Sequence, residues 1–230
     1  MGVRFGDYHS KETYGMDFLS YSISSPKAKR NEVSIPLRDG VIDITKALTD
    51  DIKFENREIK ILFEIRDPRS SWTSKLAQLR ENLHEKTMKI IFDDDLSFYY
   101  VGVVSVGDIK SNGSTGTLQI TVNAEPFKYD ITPSNIDWEW DTFDLENGVI
   151  NEAGEIVVNG TTVFTLICGR KRMFPTFTVS ADMTVGFEGD TYALKAGSQK
   201  VYDIFLCEGE NVLTFIGNGT VAIEYIGGSL

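Results

Sequence analysis

Beyond residue 147 no stretch of the sequence keeps a helical hydrophobic period. Short apolar runs recur instead, at Ile156–Val158, Val163–Cys168, Thr176–Val179, Thr184–Phe187, Tyr202–Leu206, Val212–Ile216 and Val221–Ile226. Turn-forming residues separate them: Asn159-Gly160, Glu188-Gly189-Asp190, Ala196-Gly197-Ser198, Glu208-Gly209-Glu210-Asn211 and Asn218-Gly219. Runs this short are strand-sized, and a chain that reverses after each one builds an antiparallel sandwich or jelly roll.

The first half mixes periods. Val33–Pro36 and Val41–Ile44 alternate apolar and polar residues around Leu37-Arg38-Asp39-Gly40, which predicts a hairpin. Ile59, Ile61, Phe63 and Ile65 alternate along Glu58–Arg66, a strand buried on one face. One helix follows: Ser70 or Ser71 offers a cap, and Trp72, Leu76, Leu79 and Leu83 form a core-facing stripe. Lys75, Arg80, Glu81 and Glu85 are left for water. Met88–Phe92 and Phe98–Val106 predict a second hairpin around Asp93-Asp94-Asp95, and Leu118, Ile120 and Val122 a further strand after Asn112-Gly113. The fold class is therefore α+β, mainly β: a β-domain with one helix, then an all-β domain.

Charge marks the junction. The chain carries 23 Lys+Arg against 34 Asp+Glu, a net charge of -11. Residues 1–130 hold 18 basic and 20 acidic side chains, and residues 131–230 hold 5 and 14. Between Thr132 and Asn147, five acids (Asp137, Glu139, Asp141, Asp144 and Glu146) alternate with Trp138, Trp140, Phe143 and Leu145, without one Lys or Arg. The expected organisation is residues 1–131, a linker or first strand at 132–147, and a second domain at 148–230. An acidic second half is unsuited to gripping a phosphate backbone, which needs clustered Lys and Arg.

Little in the sequence suggests catalysis. There is no Gly-x-Ser-x-Gly elbow, no glycine-rich phosphate loop and no His-Glu-x-x-His. The two histidines, His9 and His84, and the two cysteines, Cys168 and Cys207, are too scattered for a zinc site. Both cysteines end apolar runs, so buried free thiols are expected. Asp93-Asp94-Asp95 is not followed by the spaced oxygen donors of a calcium loop, and reads as a solvated turn. Asn112, Asn159 and Asn218 open sequons that read better as Asn-Gly turns. No catalytic residue, cofactor or metal is expected. No apolar stretch approaches the ~18 residues of a membrane span. Met1–Glu12 carries charges where a signal peptide needs an apolar core. The expectation is a soluble protein made in the cytoplasm.

The segment Ile23–Thr45 resembles the N-terminal signature of the distal tail proteins (Dit) of long-tailed bacteriophages, the siphoviruses, and of their prophages. The matching elements are an extended stretch containing Pro26, the strand Val33–Pro36, the turn Arg38-Asp39-Gly40, and a strand ending in Asp43-Ile44-Thr45. Phe5, Tyr14–Leu19 and Asn56-Arg57-Glu58-Ile59 fit as well, as do Gly209–Phe215 and the terminal Gly227-Gly228-Ser229-Leu230. Leu37 departs from the pattern, standing where a glycine is common.

The resemblance implies a ring-forming N-terminal β-domain with one helix, and a C-terminal galectin-like antiparallel β-sandwich. It implies a homo-hexameric hub at the tail tip or baseplate of the virion, assembled in the bacterial host cytoplasm. Such a hub joins the tail-tube protein to the tail-associated fibre or lysin protein, and in some relatives holds receptor-binding proteins. DNA passes through without specific binding, and no membrane is entered. On this reading Pro26, Lys29, Val33, Ile35, Arg38, Asp39, Gly40 and Ile42 form an arm lying against a neighbouring subunit. The alternative is a carbohydrate-binding module recognising a host cell-surface saccharide, with Trp138 and Trp140 as a stacking platform. A cell-wall hydrolase would need paired carboxylates, and none sits in a recognisable motif.

Overall fold

The computed structural model describes residues 1–45, 47, 52–135 and 153–230. Asp137–Glu146, with Trp138 and Trp140, lies outside the described residues. The chain packs as two units, one formed by residues 1–94 and 100–126, the other by residues 95–99 and 127–229.

The first unit contains β1 (Val3–Phe5), β2 (Tyr8–His9), β3 (Asp17–Ile23), β4 (Glu32–Ser34), β5 (Val41–Asp43) and β6 (Arg57–Ile65). Helix α1 (Trp72–Leu83) follows, then β7 (Lys86–Phe92), β8 (Asp95–Asn112), whose first five residues belong to the second unit, and β9 (Thr115–Ala124). Seven of these strands hydrogen-bond in the order β2-β1-β7-β8-β9-β6-β3, while among the described residues β4 and β5 pair only with each other. Alternation gives the sheet its buried face: Ile59 faces Val122, Ile61 faces Ile120 and Phe63 faces Leu118, all six fully buried. Phe5 and Phe18 pack edge-on against Phe63 at 6.4 and 6.2 Å. The helix lays Trp72, Leu79 and Leu83 into this core, with Leu76 at its margin.

Two details of the helix depart from expectation. The Ser71 hydroxyl donates to the Pro68 carbonyl at 2.7 Å, closing a 3-10 turn, and makes no cap hydrogen bond to α1. Lys75 is not left for water. Its ammonium donates to the Tyr14 carbonyl at 2.7 Å and pairs with Asp67, so its apolar stem covers the core while its charge ties the helix to the preceding loop.

The second unit contains β10 (Lys128–Asp130), β11 (Ile156–Cys168), β12 (Thr176–Val179), β13 (Met183–Phe187), β14 (Asp190–Leu194), β15 (Gly197–Lys200), β16 (Gly209–Glu224) and β17 (Gly228–Ser229). The antiparallel, all-β reading holds, but the strand divisions differ. Two pairs of expected short strands are single long ones, β11 and β16, in register from Ile156–Val221 to Cys168–Gly209. Asn159-Gly160 and Asn218-Gly219 are therefore not turns. They lie inside the ribbon, where Asn159 faces Asn218, Gly160 faces Gly217, and the Gly160 amide donates to Asn218 Oδ1 at 3.2 Å. Positive φ inside a strand bends it without reversing it.

The bend has a use. One edge of β16 is held by β11; the other takes β13 at Thr214–Ile216 and β12 at Val221–Glu224. Gly217 and Gly219, at φ 153° and 147°, separate these two pairings. A Cβ on Gly217 would stand 2.6 Å from Met183 Cβ, and one on Gly219 2.5 Å from Ser180 Oγ. The β12–β13 connection can cross only over bare backbone.

Tyr202–Leu206 is likewise not a strand. Ile204 and Leu206 are buried while Tyr202 is exposed, and the segment's ladder pairing is an isolated Met173–Leu206 bridge outside the strands. Asn211, read as a turn residue, is a buried clamp: its side-chain oxygen accepts from the Cys207 amide at 2.8 Å, and its nitrogen donates to the Cys207 and Gly209 carbonyls at 2.8 and 3.1 Å. Ser134, within the expected junction, bonds the second unit through its hydroxyl, which donates to the Ile223 carbonyl and accepts from the Tyr225 amide, both at 2.9 Å. Cys168 is buried and Cys207 exposed, against the expectation that both are buried; both are free thiols.

Candidate functional site

Strands β3 and β6 pair from Asp17–Glu64 to Ile23–Ile59. The chain between them leaves the sheet and returns, and the predicted arm lies on this excursion. Backbone bonds hold its base: the Ser24 amide donates to the Glu58 carbonyl at 3.0 Å, the Glu55 amide to Lys27 and the Lys29 amide to Lys53, both at 2.8 Å. Arg57, buried at the return point, donates to the Pro126 carbonyl and sets its guanidinium 5.6 Å from the centre of the Tyr100 ring. Burial pushes its pKa below that of a free guanidinium.

Farther out, the Asp43-Ile44-Thr45 motif acts as a clasp. The Thr45 amide donates to Asp43 Oδ1 at 2.8 Å, the Asn31 amide donates to Thr45 Oγ1 at 2.9 Å, and the Ile44 amide bonds the Asn31 carbonyl at 2.8 Å. The hydrogen bonds from Thr45, aided by the Arg30 charge, hold the Asp43 carboxyl below the ordinary aspartate range. Above this clasp β4 and β5 pair, Glu32 with Asp43, Val33 with Ile42 and Ser34 with Val41.

The tip reverses at Ile35–Arg38, where the Arg38 amide bonds the Ile35 carbonyl at 3.2 Å. Pro36 occupies the second position and Leu37 the third, with φ 67°. That pattern belongs to a type II turn, whose third position favours glycine. Leu37, the departure from the family pattern, thus adopts the backbone conformation a glycine would take. Gly40 supplies a second positive φ, 75°, as its place beside Asp39 suggests.

The arm brings together most of the predicted side chains but buries few of them. Pro26 and Ile42 are half-buried; Lys29, Arg38, Asp39 and Gly40 are exposed. Val33 is 43% exposed, Ile35 41% and Val41 53%, and Leu37 is fully exposed. Arg30 lies 3.7 Å from Glu32, while Lys27, Lys29 and Arg38 make no ion pair among the described residues. A lone two-stranded hairpin is marginal in water, and this one stands outside the core cluster of its unit. Leu37 is the arm residue that the sequence marked only as a deviation; its signal was a bulky side chain in a glycine position.

Among the described residues, no other constellation singled out in the sequence gains a ligand-binding geometry. Asp93-Asp94 is a turn between β7 and β8, and its carboxylates have partners: His9 Nε2 lies 3.2 Å from Asp93, and the Tyr21 hydroxyl donates to Asp94 at 3.2 Å. Among the described residues no group of His, Cys, Asp and Glu is disposed to hold a metal ion.

No family model and no curated protein matches the sequence. Among solved structures, the chain is similar to SPP1 Dit (gp 19.1), presented as a paradigm of the hub adsorption apparatus in phages that infect Gram-positive bacteria. The TM-score is 0.63 with 14% sequence identity, over 100% of this chain and 99% of that one. At this identity the likeness is one of fold. On that level the resemblance drawn from Ile23–Thr45 has a structural counterpart along the whole chain, mainly β with one helix.

Proposed function

We propose that the chain is a structural hub of a phage tail tip. Its whole-length likeness in fold to SPP1 Dit carries the reading, and the exposed arm supports it. Residues 1–131 build a homo-hexameric ring, residues 132–147 connect, and residues 148–230 form a peripheral, galectin-like domain. The ring joins the tail-tube protein to the tail-associated fibre or lysin protein, and the peripheral domain offers a seat for receptor-binding proteins. DNA passes through the ring without being gripped. The work is done by complementary surfaces, with no catalytic step.

A closed ring of identical copies needs heterologous contacts, in which one patch meets a different patch on the next subunit. The arm suits such a contact, because Val33, Ile35, Leu37 and Val41 are apolar and exposed. Individually exposed ion pairs contribute only ~0–1 kcal/mol, so Lys29 and Arg38 set orientation while apolar burial supplies the affinity. Light scattering and negative-stain electron microscopy of the purified protein test the reading. A six-fold ring with a central pore, lost on combining Lys29→Glu with Arg38→Glu, is the expected result. A monomer at high concentration, or assembly indifferent to the arm variant, overturns it.

A further inference from the structure

Residues 131–230 carry five basic side chains, and three of them are consecutive, Arg170, Lys171 and Arg172. Arg170 lies 3.9 Å from Glu208, and the Lys171 ammonium sits 4.0 Å from the centre of the Tyr129 ring. Arg172 makes no ion pair among the described residues, and its buried Nε finds no acceptor there. Its guanidinium carbon stands 3.4 Å from the centre of the Phe205 ring, a separation that suits a guanidinium lying flat on the ring. Phe205 in turn packs edge-on against buried Phe187 at 5.9 Å, so the platform under the cation is anchored in the core. A guanidinium held this way has its N–H donors fixed in one plane, the geometry that meets a carboxylate or a phosphate.

Beside it the chain presents two exposed rings. Burial alternates from Met173 to Thr178, with Met173, Pro175 and Phe177 inward. Arg172, Phe174 and Thr176 therefore fall on the outward side. Thr176 pairs with Lys200 where β12 meets β15. Continuing that antiparallel register by two residues sets Phe174 against Tyr202, and their ring centres lie 6.2 Å apart. Phe174 is 46% exposed and Tyr202 74%. Lys200 is exposed too and, like Arg172, has no ion pair among the described residues. The outward row thus runs from one cation across two aromatic rings to a second cation, with no acid among its members. The carboxylates of Asp190, Asp203 and Glu188 gather around Tyr192 instead, where burial first and then their charges push its hydroxyl pKa up.

From Arg172 to Thr176 the row covers about 14 Å of extended chain, enough for an oligosaccharide. The C–H faces of a sugar ring are apolar and slightly positive, which suits the negative face of an aromatic ring. A protein partner asks for a contiguous apolar patch of several hundred Å², whereas here the exposed apolar surface of the row is two rings bounded by Thr176 and the cations. We propose that Phe174 and Tyr202, flanked by Arg172 and Lys200, bind an anionic oligosaccharide, a sugar chain bearing carboxylate or phosphate groups. The rings carry the sugars, and the cations hold the charged groups. All four residues belong to the second unit and none to the arm, so this site stands or falls apart from the hub reading.

Calorimetric titration of the full chain tests the site with an oligogalacturonate, its methyl ester and a phosphorylated oligomannose. Saturable binding of at least one anionic sugar is expected, and which one binds tells carboxylate from phosphate. Tyr202→Ala should weaken it at least about tenfold, Lys200→Gln severalfold, and added salt should weaken it further. Both side chains are exposed, so denaturant melts of the two variants should match the wild type. The methyl ester should bind more weakly than the acid. No binding of either anionic sugar, binding unchanged in Tyr202→Ala, an ester that binds as well as the acid, or a polyglutamate that binds as well as the sugars overturns the proposal. Light scattering keeps the two readings apart: Tyr202→Ala should assemble as the wild type does, while the arm variant should keep its sugar.

Discussion

The β4–β5 arm and the β11–β16 ribbon are both antiparallel strand pairs, and both expose apolar side chains. On the ribbon Val157, Val163, Ile167, Val212 and Ile216 face outward; on the arm Val33, Ile35, Leu37 and Val41 do. The difference lies on the opposite face. Beneath the ribbon, Ile156, Val158, Leu166, Leu213 and Phe215 are buried in the core of their unit. The arm has no such face, since every residue from Asn31 to Val41 is exposed. Exposed apolar residues over a packed core are ordinary surface. The same residues on a ribbon without a core point to a partner.

That contrast can be broken most sharply by truncation. Phe215 is fully buried and packs edge-on against Phe177 at 6.2 Å. Phe215→Ala should cost about 3–5 kcal/mol of unfolding free energy, from lost burial plus the cavity left behind. Val33→Ala should shift the stability of the isolated chain by less than about 0.5 kcal/mol, as an exposed substitution does. If the proposed hub reading holds, assembly should respond in reverse, with Val33→Ala weakening self-association. Denaturant melts and light scattering on the two variants read both quantities. Equal destabilisation by the two would erase the distinction between ribbon and arm.

A smaller effect isolates strain. Leu37 holds φ 67° with its side chain in water. For a non-glycine residue that conformation costs about 1–2 kcal/mol, partly offset in a Leu37→Gly variant by the greater freedom glycine has when unfolded. Leu37→Gly should therefore stabilise the isolated chain by about 0.5 kcal/mol or slightly more, and weaken assembly by removing an exposed apolar contact. Opposite signs in the two measurements mark a residue kept for what it touches. A variant that is less stable and assembles normally would reassign Leu37 to a purely local role.

Regular periods were the legible part of this fold. Ile59, Ile61, Phe63 and Ile65 read as a half-buried strand because burial on one face imposes period two, and Trp72, Leu76, Leu79 and Leu83 read as a helix stripe for the matching reason. The failures share a different cause. Asn159-Gly160 and Asn218-Gly219 carry hairpin-turn chemistry, but they face each other across one ribbon, and only the register reveals that they bend it. Ile204 and Leu206 alternate like strand residues yet reach the core from an irregular connection. β14 escaped notice because an edge strand with only Leu194 buried has no apolar alternation to display. For the arm, the segment was legible from its signature and Asp43-Ile44-Thr45, but its lack of a core beneath was not. Burial depends on the rest of the chain, which periodicity does not describe.

The smallest expected effect probes the far end of the ribbon, where β11 closes on β16. Cys168 faces Gly209 in the last pair, and burial pushes its thiol up to about 11, while Cys207, two residues before β16, is exposed. Thiolate is the reactive form, so at pH 8 only about 0.1% of Cys168 is competent even where reagent can reach it. Iodoacetamide should label one thiol per native chain quickly, at Cys207, and the second only as the ribbon end opens. The same shift gives stability a pH slope of known sign. The unfolded thiol loses its proton near 9 and the folded one near 11, so between those values the unfolded chain binds fewer protons and stability falls as pH rises. Cys168→Ala should flatten that decline, leaving the contribution of other groups. Fast labelling of both thiols below pH 9, with an unchanged alkaline slope in Cys168→Ala, would show that the ribbon end is as open as the arm.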